Sequence, residues 1–112
     1  VKLVTAIIKP NALDAVREVL ASMDVAGMSV SEVKGFGHPL EDSLIVRGTP
    51  FIQTFLPHLK VELVLPEDQA DLVADAIQLI SSGCDQGSGR VLVSGMQQAL
   101  RIRTGEIGAL AI

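Results

Sequence analysis

The sequence predicts an α+β domain in which two helices cover one face of a four-stranded sheet. Three observations carry the prediction: a cleanly alternating apolar run at 59–65, two segments of helical apolar spacing that each follow a strand, and the order of these elements. A chain of 112 residues makes one domain, spanning 1–112, long enough to bury a core without disulfide or metal staples.

The first element is "KLVTAIIK", 2–9, a strand that is apolar on both faces, with Leu3 and Ile7 on one side and Val4, Ala6 and Ile8 on the other. Pro10 stops it, and Asn11 is placed to cap a helix reaching Asp24, with Leu13, Val16, Leu20 and Met23 at helical spacing. After Gly27, "MSVSEVK" alternates as a second strand. In "LKVELVL", 59–65, Leu59, Val61, Leu63 and Leu65 face one way and Lys60 and Glu62 the other. Pro66 then opens a second helix, with Glu67 and Asp68 favourable to the dipole of its first turn. Val73, Ala76, Ile77 and Ile80 form its buried stripe, Gly83 ends it, and "RVLVS", 90–94, is the last sheet strand.

Strand–helix–strand–strand–helix–strand is the ferredoxin-like βαββαβ order. Its helices leave one sheet face open, yet the first strand is apolar on both sides. Self-association is the economical cover, because large apolar patches are rare on monomers. A hairpin normally needs two to five residues, but 23 residues separate Gly35 from Leu59. Within them "SLIVRGTPFIQ" is rich in β-formers, consistent with a ribbon extending from the second and third strands. Phe51, Ile52 and Phe55 either fold back on the core or dock on a partner, and a loop carried on a rigid scaffold favours docking.

Composition narrows the function. The net charge of −4 argues against nucleic acid as a partner. One cysteine, Cys84, precludes an internal disulfide and a multi-cysteine zinc site and fits a cytoplasmic location. Neither a leader-like start nor a membrane-length apolar run is present in the sequence. Residues 86–105 hold Arg90, Arg101 and Arg103 and no acid, which suggests a specific anion site within an acidic chain.

Two stretches carry candidate chemistry. "GCDQGSGR", 83–90, follows a helix and precedes a strand, the reverse of a P-loop or dinucleotide fingerprint. It is either a helix stop or a nest in which the N–H groups of Gly87, Ser88 and Gly89 line a concavity for oxygens beside Arg90. In "RIR", 101–103, an extended backbone points Arg101 and Arg103 together while Ile102 packs inward. Such a pair is either solvated or bridged by an anion, and a polyphosphate suits it. His38 and His58 bracket the long loop and are either structural or a small-anion site. With no third ligand in view, no metal site is expected. Ser43, Ser81, Ser82 and Thr49 have no histidine at a recognisable spacing, and Cys84 beside Asp85 is not activated, so catalysis is not expected.

The stretches "VKLVTAIIKP", "EVKGFG" at 32–37, "RG" at 47–48, "FLP" at 55–57 and "RIRTGE" at 101–106 together resemble the PII signal-transduction family across the chain. The resemblance implies a ferredoxin-like homotrimer that binds ADP, AMP or ATP in clefts between subunits. It implies a T-loop at about 37–58 that docks on an enzyme, transporter or regulator, a B-loop at about 82–90 and a C-terminal loop at about 97–112. By the same resemblance Gly35, Phe36, Gly37 and His38 would line the nucleotide cleft with Ile7, Glu62 and Val64, closed by Gly27, Met28 and Ser29. Gly87, Ser88, Gly89, Arg90, Arg101 and Arg103 would hold phosphates, while Leu44, Val46, Arg47, Thr49 and Phe51 would contact the protein partner.

Departures from the family pattern direct the finer reading. Arg90 stands at a usual lysine, His38 at a usual arginine, Pro39 at a magnesium-ligating glutamine, His58 at a lysine that pairs with 2-oxoglutarate, and Asp85 at a lysine. These changes imply ADP or AMP favoured over ATP. They also imply an effector other than 2-oxoglutarate, with bicarbonate near His38, His58 and Arg47 as in the carboxysome-associated branch. Phe51 has no hydroxyl to be uridylylated where many members carry tyrosine. The alternatives are a nitrogen-status regulator sensing ATP and 2-oxoglutarate, and a small ferredoxin-like phosphohydrolase.

Overall fold

Buried apolar side chains from two helices and two strands meet on one side of the four-stranded sheet. The computed structural model describes residues 1–25, 27–35, 44–46, 49–51, 55–83 and 89–112, with strand pairing alone given for 44–46 and 49–51. The elements are β1 (Lys2–Ile8), a 3-10 turn (Pro10–Ala12), α1 (Leu13–Ser22), β2 (Ser29–Gly35), β3 (Leu44–Val46), β4 (Thr49–Phe51), β5 (Leu56–Leu65), α2 (Glu67–Ser82), β6 (Arg90–Gly95) and a closing 3-10 turn (Gly108–Ala111). The main sheet runs β2-β5-β1-β6, and every neighbouring pair is antiparallel. That is the ferredoxin-like arrangement expected from the element order.

The alternation in the sequence decides which face is buried. Val4, Ala6 and Ile8 of β1 and Val61, Leu63 and Leu65 of β5 pack beneath Val16 and Leu20 of α1 and Ala70, Val73 and Ile77 of α2. Each fully buried Val, Leu or Ile contributes roughly 1.5–3 kcal/mol relative to exposure, so this layer supplies most of the apolar stabilisation. Leu3, Thr5 and Ile7, the alternate residues of β1, are only half-buried on the opposite face.

Several boundaries differ from the sequence reading for local reasons. Asn11 is not a helix cap: it lies inside the 3-10 turn, and neither that turn nor α1 has a side-chain cap hydrogen bond. α1 ends at Ser22 rather than Asp24. Asp24 takes a left-handed φ of 58°, and its N–H donates to the Ala21 carbonyl while that of Val25 donates to Leu20. This is a Schellman motif, and Leu20 and Val25 complete it by joining the same apolar cluster. Gly83 does end α2, but with an ordinary φ of −77°, so glycine's access to positive φ is not what stops the helix.

β5 starts at Leu56, three residues before the alternating run, with Pro57 opposite Lys34 and Leu56 opposite Gly35. Pro57 is tolerated because β1 pairs only as far as Leu59, leaving that end of β5 with one neighbour. The long connection is therefore shorter than 23 residues, and β3 and β4 pair within it as an antiparallel ribbon.

Candidate functional site

The open sheet face carries residues in transverse rows set by register. Ser31, Lys60, Ile7 and Arg90 lie directly across from one another on β2, β5, β1 and β6. With strands about 4.8 Å apart, this row is roughly 14 Å long. The next row is Ser29, Glu62, Thr5 and Leu92, and the one after it holds Val64, Leu3 and Ser94. Ile7 and Val64 are therefore two rows apart, about 13 Å along the strands. The structure places Ile7 with Arg90 at one end of the face, and Ser29, Glu62 and Val64 toward the other.

At the end of β1 and β6 a cleft of about 280 Å³ is lined by Ile7, Ile8, Gln78, Ser81, Ser82, Gly89, Arg90 and Val91. Two residues predicted to hold phosphates, Gly89 and Arg90, thus meet Ile7, predicted to line the nucleotide cleft, in one concavity. Ser81, near the end of α2, is 9% exposed, and its Oγ has no hydrogen-bond partner among the described residues. The Arg90 side chain is exposed and makes no hydrogen bond or ion pair with any described residue. Other cations are engaged locally, Arg17 with Asp14 at 3.2 Å and Lys2 with Glu67 at 3.8 Å.

A second cleft, of about 370 Å³, lies at the base of the long connection, lined by Pro10, Glu32, Val33, Lys34, Pro57, His58 and Leu59. His58 is 6% exposed, and its Nδ1 lies 3.1 Å from the Leu56 carbonyl. A carbonyl only accepts, so this contact puts the hydrogen on Nδ1. The ring covers Gly35: a Cβ built there would lie 3.0 Å from His58 Nδ1 and 3.3 Å from Cε1. A side chain at Gly35 would therefore press against a neighbouring ring.

The C-terminal arginines are arranged differently from expectation. Residues 101–106 form a tight turn, closed by the Leu100–Ile107 bridge, by Arg101 N–H to the Glu106 carbonyl at 2.9 Å and by Gly105 N–H to the Arg101 carbonyl at 2.8 Å. Gly105 supplies the positive φ of 75° that this turn requires. The segment is not extended, and Ile102 is 98% exposed rather than packed inward. Arg101 is half-buried, with its Nη2 donating to the Ile112 carbonyl at 2.7 Å and its Nε to that of Ala111 at 3.4 Å. Arg103 is exposed and unbonded to any described residue.

Of the other predicted residues, Met28 packs against the core edge and Gly27 is exposed before β2. Phe36, Gly37, His38, Pro39, Arg47, Asp85, Gly87 and Ser88 lie outside the described residues, and with them the nest at 87–89 and the approach of His38 to His58. Leu44, Val46, Thr49 and Phe51 sit in the ribbon, where Leu44 pairs with Phe51 and Val46 with Thr49. Sequence reasoning missed Lys60, which shares the row of Ile7 and Arg90, and Gln78, Ser81 and Ser82 in the first cleft. Strand register would have found Lys60. The α2 residues carry no local signal, because only the packing of α2 on β1 and β6 brings them there. Among the described residues no group of three His, Cys, Asp or Glu is placed to hold a metal, and no helix is long and apolar enough to cross a membrane.

Comparison with known proteins gives a consistent answer across the chain. The family model described as "Nitrogen regulatory protein P-II" matches residues 1–106. A nitrogen regulatory protein P-II of Rhodobacter capsulatus is 43% identical over 111 residues, covering 99% of each chain. One from Cereibacter sphaeroides is 42% identical over the same length and coverage. The nitrogen regulatory protein GlnK of Escherichia coli K12 is 40% identical over 111 residues, again covering 99% of each.

Proposed function

Because the chain belongs to the nitrogen regulatory P-II family, we propose that it works as a homotrimer that holds an adenine nucleotide in each cleft between subunits. It reports the nucleotide's state to a protein partner through the segment between β2 and β5. The chain is a regulatory signalling protein rather than an enzyme, as its family is.

The observation that carries the nucleotide reading is the cleft in which Ile7, Gly89 and Arg90 converge. Arg90, exposed and without a described partner, offers a forked donor to phosphate oxygens, while Ile7 supplies an apolar wall. The separation of Ile7 from Val64 by two rows supports a site built from two copies. One protomer contributes the Arg90 end of its open face, and the next contributes the end bearing Ser29, Glu62 and Val64. The same assembly covers Leu92, which is 53% exposed on the open face of the isolated chain.

His38, Pro39 and Asp85 each remove a group suited to a third phosphate or its magnesium, and a charge-assisted contact contributes roughly 1.5–3 kcal/mol. ADP and AMP therefore bind in preference to ATP. His58 stands where the family's lysine would pair with 2-oxoglutarate, so the proposed effector is a different, smaller anion, bicarbonate. The curated relatives' names support a role in nitrogen regulation; the altered residues favour a link to inorganic carbon.

Isothermal calorimetry of the purified protein with AMP, ADP and ATP tests the preference, with magnesium and 2-oxoglutarate present or absent. Tightest binding of magnesium-ATP with 2-oxoglutarate overturns the preference and returns the conventional nitrogen-status mode. Failure of all three nucleotides to bind overturns the site.

A further inference from the structure

Arg101 already holds a ligand, and the ligand is the chain itself. Its Nε and Nη2 form the side-on edge of the guanidinium, the edge that grips a carboxylate or phosphate through two parallel bonds. Here those donors meet the carbonyl oxygens of Ala111 and Ile112 at 3.4 and 2.7 Å, two backbone acceptors standing where two anion oxygens would. Two residues on, Arg103 has neither a hydrogen bond nor an ion pair with a described residue.

We propose that residues 108–112 form an intramolecular strap that occupies Arg101 and must be exchanged for the phosphates of an incoming nucleotide. This rests on the nucleotide reading above and adds a regulation of that site. The strap is built to leave. Gly108 turns the chain at a positive φ of 68°, and Leu110 is 70% exposed. Among the described residues the strap's backbone bond to the rest of the chain is that from Gly108 N–H to Ala99 at 3.0 Å, while the bond from Ile112 N–H to Ala109 at 3.4 Å lies within the segment. None of residues 108–112 belongs to the buried core or packs against it, so Arg101 is the principal anchor. A short segment with few buried contacts opens at low cost compared with global unfolding. Nucleotide binding and release of the strap are then linked: whatever loosens the strap tightens the nucleotide, and nucleotide in turn frees residues 108–112.

The test is calorimetric titration of ADP into the full chain and into a chain lacking residues 109–112. Removing the competing acceptors is expected to tighten ADP on the order of tenfold, the value of one charge-assisted bond no longer exchanged. Gly108→Ala, which strains the left-handed turn while leaving every other side chain in place, is expected to tighten ADP severalfold. As a direct readout, Leu110→Trp introduces the chain's single tryptophan, and ADP is expected to raise its quenching by acrylamide. Unchanged or weaker ADP binding by the shortened chain, with the full chain still binding ADP, overturns the strap and leaves the nucleotide site standing. Failure of both chains to bind ADP overturns the nucleotide reading and the strap with it.

Discussion

Replacing Gly35 with alanine is expected to destabilise the protein through His58 alone. The new Cβ would lie 3.0 Å from Nδ1 and 3.3 Å from Cε1, where ordinary contacts begin at 3.4 Å. The ring must retreat by a few tenths of an ångström. It is buried, and retreat stretches a bond to Leu56 that is already 3.1 Å long. Overpacking costs about 1–3 kcal/mol. Against this, exchanging glycine for alanine lowers the entropy of the unfolded chain and returns about 0.4–1 kcal/mol. The net expectation is a loss of about 1–2 kcal/mol. In a His58→Ala background the clash is gone and only the entropic gain remains, so the same change becomes neutral or stabilising. The two substitutions thus couple by about 2 kcal/mol. Urea unfolding of the four proteins at one fixed protein concentration measures that coupling, with unchanged slopes required for the comparison. Additivity within about 0.5 kcal/mol refutes the contact as the reason for glycine at this position.

The remaining expectations concern stability, assembly and ligand affinity. Asp24→Gly relieves a left-handed residue within an otherwise complete Schellman motif and is expected to add about 1 kcal/mol to stability in urea; a loss would mean that the aspartate side chain contributes there. Ser81→Ala removes a buried hydroxyl without a described partner and introduces a better helix former, so a gain of about 1 kcal/mol is expected, and a loss of that size would show that the hydroxyl is satisfied in solution. Leu92→Asp, on the open face, is expected to convert trimers to monomers in sedimentation equilibrium, and an unchanged mass contradicts assembly through this face. Arg90→Ala is expected to weaken ADP about tenfold in calorimetry, and undiminished affinity removes Arg90 from the site.

Periodic features were legible. The alternation at 59–65 and the apolar stripes of both helices translate directly into solvent exposure, so the sheet, its covered face and the helix order follow from side-chain spacing. Features closed by backbone partners were not. Asn11 has the residue type of a cap, yet Pro10 sets up a 3-10 turn that draws it inside. The early start of β5 depends on β2 offering Lys34 and Gly35 as partners for Pro57 and Leu56, a nonlocal pairing with no trace in "FLP". "RIR" reads as a strand by spacing, but Gly105 and the Leu100–Ile107 bridge fold it into a turn. The acceptors that hold Arg101 are backbone oxygens of Ala111 and Ile112, which no side-chain pattern could single out.

With the proposed trimer covering the apolar residues on the side of the sheet away from the helices, abundance would become a determinant of durability. If only another copy shields that surface, dilution acts as a denaturant and the newly made single chain is the form most open to proteases. Shortly after synthesis, before neighbours are found, the protein is at its most perishable; once the pool fills, each copy protects the next.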